Sequence, residues 1–503
     1  MIKFGKTVVK FRIPILILSF LLLIPAGISY INTRINYDIL SYLPGDIDTM
    51  KGQDILLEDF GTGAFSLCVV EDMSEKQVVD LENEIKGVEH VKDVIWYDTL
   101  ADISIPMDVL PSEIKDAFNN EDKNATLMIV TFDTSMSADE TLDAIEQLRT
   151  LTKQQCFMSG MSAVVTDIKK ICNSEAIAYV ILAAGLSAVV LALTMDSFLV
   201  PVFFLLSIGM AIIYNLGTNF VSGEISFITQ ALAAVLQLAV TMDYSIFLWH
   251  SYQENQERFP GDKKRAMAHA ISNTVSSVVA SSVTTVAGFV GMCFMTFTLG
   301  LDLGIVMAKG VVLGVLCCVT VLPAMILTFD GALEKTRHRA LIPKFDKMGT
   351  FATRKFPIFL VLFVVILIPA VYGYRNTNVY YDLAGTLPAD LESVQANNKL
   401  EEDFNMGATH IILASSDLSH KDASNMIDEI NDLDGVAVAL GKDAILGPAV
   451  PQEMLPADVK DMLDNGKLQM IYVMSEYKTA SDEVNAQCDA IKEIIKRYDP
   501  TAM

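Results

Sequence analysis

One aspartate followed by a tyrosine stands inside a long apolar run, in Thr241-Met242-Asp243-Tyr244. A carboxylate in the hydrocarbon slab costs at least about 2.5–3.5 kcal/mol on insertion scales, so its presence calls for a purpose. Such a group could load a proton on one side of a membrane and release it on the other; the competing reading is a permanently paired, inert carboxylate. Gln230, Gln237, Thr241 and Tyr244 fall on one helical face around it. The next apolar run has its own stripe of Ser277, Ser281, Thr284, Gly288 and Gly291, with Thr285 alongside. Small and hydroxylated residues at that spacing let two helices approach closely and hydrogen-bond. Together the two stripes predict a narrow polar channel lined by Gln237, Thr241, Ser277, Ser281, Thr284 and Thr285. Lys309 is the one amine inside the apolar runs. Counted from the outer ends of their helices, Asp243 lies about 25 Å deep and Lys309 about 10 Å. That difference favours a lysine that snorkels or lines an outer vestibule over one paired with Asp243.

Just over half of the 503 residues are apolar, and they are concentrated. Seven runs reach the roughly 20 residues a membrane helix needs: 13–31, 175–195, 198–217, 226–250, 271–297, 303–328 and 357–374. Basic clusters precede the first run (Lys3, Lys6, Lys10, Arg12), separate the fourth and fifth (Lys263, Lys264, Arg265), and fill the sixth-to-seventh loop from Lys335 to Lys355. Alternation places all three on one side, the cytoplasm by the positive-inside rule. The N-terminus is then cytoplasmic, in a multi-pass protein of the cell membrane, and two long acidic blocks face outward. The net charge of −24 argues against a nucleic-acid partner. Trp249 and His250, at the cytoplasmic end of the fourth run, suit an interfacial anchor. The seven cysteines lack metal-ligand spacing. Without a nucleophile triad or phosphate loop, neither an enzyme nor a cofactor is expected.

The organisation is a tandem repeat. Tyr37-Asp38 and Leu43-Pro44 return as Tyr381-Asp382 and Leu387-Pro388, and Glu58-Asp59-Phe60 returns as Glu402-Asp403-Phe404, all about 344 positions later. Ile24-Pro25 returns as Ile368-Pro369, which argues that the first run is a retained anchor and not a cleaved signal. Parallel repeats of a membrane unit are a transporter architecture. The first outer block reads as strand 65–71, helix 75–86, strand 91–97, a short helix from Pro111, strand 126–132, helix 138–153 and strand 155–159, the βαββαβ plan. The second repeats this order and stops at Met503, before a second bundle. A shortened form of a longer chain is expected; the alternative is a half-size protein that restores symmetry as a homo-oligomer. The fold class is a membrane α-helical bundle with two extracytoplasmic α+β, ferredoxin-like domains. Its parts are a first helix (1–31), an outer domain (32–174), helices two to six (175–329), a basic linker (330–356), a seventh helix (357–374) and a second outer domain (375–503).

These features resemble MMPL-type transporters of the resistance-nodulation-division (RND) superfamily. Thr241-Met242-Asp243-Tyr244-Ser245-Ile246-Phe247-Leu248 resembles their fourth-span motif, Ser282-Val283-Thr284-Thr285-Val286-Ala287-Gly288-Phe289 the fifth, and Val321-Leu322-Pro323-Ala324 the end of the sixth. The resemblance implies porter domains outside and proton-coupled export of an amphipathic small molecule or lipid, with membrane lipids as partners. It also implies a proton relay of Asp243 and Tyr244, the tyrosine holding or releasing an opposite carboxylate. Sterol-sensing receptors and membrane subunits that assist protein secretion share the bundle plan and supply the alternative, a protein that does not pump.

Overall fold

The computed structural model describes residues 1–100, 115, 118–120, 122–152, 155–338, 346–377, 382, 384–443, 460 and 462–503. The short helices expected from Pro111 and Pro456, the middle of the basic linker and Tyr381 lie outside the described residues. The chain forms two compact units, one of residues 1–42 and 171–378, the other of residues 43–170 and 379–503.

Among the described residues, seven helices are long and apolar enough to cross a membrane: Arg12–Ile31, Met161–Thr194, Leu199–Ser222, Phe227–Arg258, Lys263–Met292, Leu299–Thr328 and Phe356–Arg375. These are the first to seventh spans, and each overlaps one of the apolar runs. The second starts well before its run because nothing between Met161 and Ser174 breaks a helix; Gly160, at φ +103°, makes the turn that precedes it. The sixth span is the hub of the first unit. It packs on the first, third, fourth and fifth spans. Its glycines admit these neighbours: a Cβ at Gly310 would stand 2.7 Å from Asn215 Nδ2 and 2.9 Å from Gln237 Oε1, and one at Gly314 would overlap Thr241. In lipid, where apolar surface gives no drive to associate, such close van der Waals contact is what holds helices together. The seventh span buries none of its residues. Where the first span ends, Arg34–Asn36 pairs in parallel with Glu224–Ser226, and Tyr37 stacks on Phe227 at 5.7 Å.

In the second unit, β1 (Ala64–Glu71), α1 (Glu75–Lys86), β2 (Val91–Ile95), β3 (Ala125–Phe132), α2 (Asp139–Thr152) and β4 (Cys156–Ser159) follow one another. Their sheet order, β2-β3-β1-β4 with antiparallel neighbours, is the ferredoxin-like one. Alternation is weak here because β3 is buried on both faces. Ser74 and Gln77 form a capping box at α1. In the later half, α3 (Glu392–Phe404) precedes β5 (Ala408–Ser415), α4 (His420–Asn431), β6 (Val436–Leu440), β7 (Leu468–Ser475) and α5 (Asp482–Tyr498). The three strands are ordered β5-β7-β6, matching β1-β3-β2.

The two halves of this unit share one core. Helix α3 lies on β4 of the other sheet and contributes Leu400 and Phe404 to the cluster that holds Phe132 and Met158. Phe65 meets Tyr472 edge-on at 6.2 Å. Polar groups pin the seam. Arg149 grips Asp167 with two bonds of 2.7 and 3.2 Å, and Asp167 also accepts the Ser393 N–H at the start of α3. Lys399 pairs with Glu71 at 2.5 Å. At its centre the seam is apolar and packed around Leu400, Phe404 and Tyr472.

Two tests follow from this packing. Gly314→Val should lower the unfolding free energy by about 1–3 kcal/mol through overpacking against Thr241. Gly288→Val, whose added atoms meet nothing within 4 Å, should change it by no more than about 0.5 kcal/mol. Thermal unfolding in one detergent compares them. The second concerns Asp403, beside the Lys399–Glu71 pair. Burial pushes its carboxyl above the usual range, Glu71 adds to that, and Lys399 only partly opposes it. A folded pKa above the unfolded one means the ionised carboxylate opposes folding, a penalty relieved as the pH falls toward the ordinary value near about 4. Asp403→Asn should melt above the parent at neutral pH, the gap closing as the pH is lowered; a gap constant with pH contradicts this.

Candidate functional site

The fourth span starts at Ser226, whose Oγ accepts the Ile228 N–H at 3.2 Å and whose own N–H donates to Asp302 Oδ2 at 3.0 Å. From there the helix shows two unlike faces. Thr229, Gln237, Thr241 and Tyr244 are buried inside the bundle, with Gln230 half-buried nearer the N-terminal end of the helix. The Gln237 amide is fully used: Nε2 donates to the Gly310 carbonyl at 3.1 Å, and Oε1 accepts from Asn215 Nδ2 at 3.0 Å. The Thr241 hydroxyl donates to the Gln237 carbonyl at 2.6 Å.

Asp243 is on the other face. It is exposed, in company with Leu232, Leu236 and Phe247. On the neighbouring fifth span, Ser277, Ser281 and Thr284 are exposed and Thr285 is half-buried. Thr284 and Thr285 donate to the Ser281 carbonyl at 2.7 and 3.2 Å. A Cβ at Gly288 or Gly291 would meet nothing within 4 Å. The single polar channel read from the sequence is thus divided within this chain. Gln237 and Thr241 are consumed in packing against the sixth span, whereas Asp243 and the fifth-span stripe lie on surfaces that no described residue covers. The reason is angular. Adjacent helical positions differ by about 100°, so with Tyr244 turned inward Asp243 cannot join it.

Lys309 is half-buried and donates to Asn219 Oδ1, in the last turn of the third span, and not to Asp243. Trp249 departs from the interfacial role expected of it: it is buried, and its indole N–H donates to Asp196 at 3.1 Å, because a buried N–H needs an acceptor. His250 is exposed. Asn215 and Asn219 were not singled out in the sequence. Two asparagines four apart at the end of an apolar run were the available signal, since they share a helix face.

Comparison with known proteins places this geometry. The MMPL family description matches residues 67–355. The transport protein MmpL12 of Mycobacterium tuberculosis is 25% identical over 62% of this chain and 28% of its own length. A membrane protein of Streptomyces coelicolor is 24% identical over 57% of this chain and 36% of its own length. One of Methanocaldococcus jannaschii is 24% identical over 62% of this chain and 90% of its own length. The chain therefore spans about a third of the length of the first two relatives. With residues 67–355, more than half of the chain, matched, the chain belongs to the MMPL family.

Proposed function

We propose that this multi-pass membrane protein exports hydrophobic or amphipathic compounds, a lipid or a drug, driven by protons that Asp243 carries. The observation that supports this is the position of Asp243: a carboxylate in the middle of a span, exposed, on a helix that packs on the fifth span, which itself exposes hydroxyls and open glycines. A structural carboxylate would be tied down by partners, and Asp243 has none among the described residues. Its surface suits a second helical bundle, with Asp243 and polar groups of both bundles enclosing a hydrated path. Tyr244, one position on, would adjust the hydrogen bonding of that path as the bundles shift. The basic loops set the orientation, with the N-terminus in the cytoplasm and the two α+β halves as extracellular porter domains related by the repeat.

Energetics constrain the export step. One proton crossing 100 mV supplies about 2.3 kcal/mol, and exposing an acyl chain to water costs about 0.8 kcal/mol per methylene. A lipid therefore either stays in an apolar path or takes several protons to move, and we favour the path. The packed apolar seam around Leu400, Phe404 and Tyr472 is the place for it, and must open during transport.

Proteoliposomes holding the full-length protein test this reading. An imposed proton gradient should drive flux of a fluorescent lipid, and Asp243→Asn should reduce it to background. The same variant should melt within about 0.5 kcal/mol of the parent, because no contact is lost. Gln237→Leu, which strands Asn215, should cost about 1–3 kcal/mol. Equal flux in parent and Asp243→Asn removes Asp243 from coupling. Gradient-independent binding of a sterol or a secretion partner, with no flux, favours the receptor-like or secretion-accessory alternative.

A further inference from the structure

A groove of about 580 Å³ runs between the first, third and sixth spans, on the flank away from any proton-carrying role. Ile15, Leu18 and Leu22 of the first span, Tyr214 of the third, and Leu313 and Leu316 of the sixth form its wall. The hydroxyls beside them are already spent on their own helices: Thr218 donates to the Tyr214 and Asn215 carbonyls, and Thr320 to that of Leu316. The first and third spans are clamped at two points. The Tyr214 hydroxyl donates to the Ser19 carbonyl, and Gly217 lets the Ala26 carbonyl approach so closely that a Cβ would overlap it. The groove is therefore a fixed apolar slot. Along the first span it extends from Ile15 to Ser29, roughly 21 Å at 1.5 Å per residue, which is more than one leaflet of a hydrocarbon core about 30 Å thick.

An apolar slot that faces lipid does not by itself select an occupant, because an acyl chain leaves one apolar medium for another. Selection has to come from the end of the slot. On that side the chain carries a cluster of basic residues before the first span. The N-terminal helix Ile2–Lys10 buries Gly5, Val8 and Val9 and packs on the fifth span, leaving Lys3, Lys6 and Lys10 exposed. Gly5 sits directly on the Ala268 carbonyl, which fixes the helix in place. Arg12 follows on the first span. It shares a helix face with the groove residues Ile15 and Ser19, three and seven positions on, and its Nε is buried with no hydrogen-bond partner among the described residues. Lys263 of the adjoining loop is neutralised by Asp330 and Glu334, whereas Lys3, Lys6, Lys10 and Arg12 have no acidic partner among the described residues.

We propose that this groove is a binding site for one anionic phospholipid of the leaflet on the Lys10–Arg12 side, its acyl chain in the slot and its phosphate on Lys10 and Arg12. The occupant is a phospholipid and not a free anion, because Arg12 and the slot lie along one helix, with Lys10 two residues before it. The proposal is independent of the transport reading, since Asp243 takes no part in it.

The test uses the whole protein in nanodiscs that contain a trace of phosphatidylglycerol with a photoreactive group on its acyl chain. Cross-linked peptides are then mapped by mass spectrometry. Adducts should concentrate on the groove-lining stretches 15–29 and 313–321 and exceed those from the matching phosphatidylcholine probe. Arg12→Gln and Lys10→Gln should each lower them about fivefold, the effect of one cation near a bilayer surface. Leu316→Trp, at an exposed wall position that tolerates a larger side chain, should block adducts in the slot while the melting temperature holds. Equal labelling by both probes, labelling insensitive to the charge variants, or adducts spread evenly over all spans would each overturn the proposal. Competition by inorganic phosphate at millimolar concentration would overturn it too, by showing a headgroup site without the chain.

Discussion

No water is available inside a bilayer to satisfy a polar atom, so every polar side chain there is either bonded to protein or awaiting a partner. The fourth span separates these two conditions by face. Its inner face places Gln237 where both ends of the amide are bonded, one by the backbone of Gly310 and the other by Asn215. That arrangement is possible only because Gly310 and Gly314 leave the sixth span without side chains at the contact. It fixes the rotation of the fourth span, and that rotation turns Asp243 out. The exposed carboxylate is thus a consequence of packing elsewhere on its own helix.

The α+β unit obeys a similar economy with charge. Arg149 and Asp167 are both largely buried, and breaking such a pair costs several kcal/mol where forming it gains little. Its value is positional. Asp167 lies in the first turns of the helix that becomes the second span, and it also accepts the Ser393 N–H at the start of α3. One carboxylate thereby joins a strand-flanking helix, the root of a membrane helix and the other half of the unit. Movement of α3 on β4 would have to disturb that pair.

Much of this architecture was legible in the residues. Membrane helices are set by apolar length alone, so all seven runs reappear as spans, and strands such as Val436–Leu440 are marked by β-branched residues between breakers. What could not be read is rotation about the helix axis. The spacing of Gln237, Thr241 and Tyr244 gives one face correctly and sets Asp243 about 100° or more away from it, but which face turns inward depends on where the sixth-span glycines sit, a tertiary fact. Trp249 was misplaced for the same reason: its acceptor, Asp196, is distant in sequence. The shared core of the α+β halves was hidden too, because Leu400 and Phe404 carry an ordinary amphipathic pattern that does not say which sheet they cover.

The cover that Asp243 calls for under the proposed function has a symmetry consequence. A second copy related by a two-fold axis would meet this surface with the same surface, since such an interface is self-complementary. Asp243 would then face Asp243, two like charges that repel unless one holds a proton. A non-identical bundle, for which relatives about twice as long have room, can instead offer a donor to a carboxylate and so separate loading from release. In the first arrangement the halves differ only by which of two identical carboxylates holds the shared proton, so their titrations are coupled. In the second the difference is built into the residues, and Asp243 titrates against a partner of other chemistry.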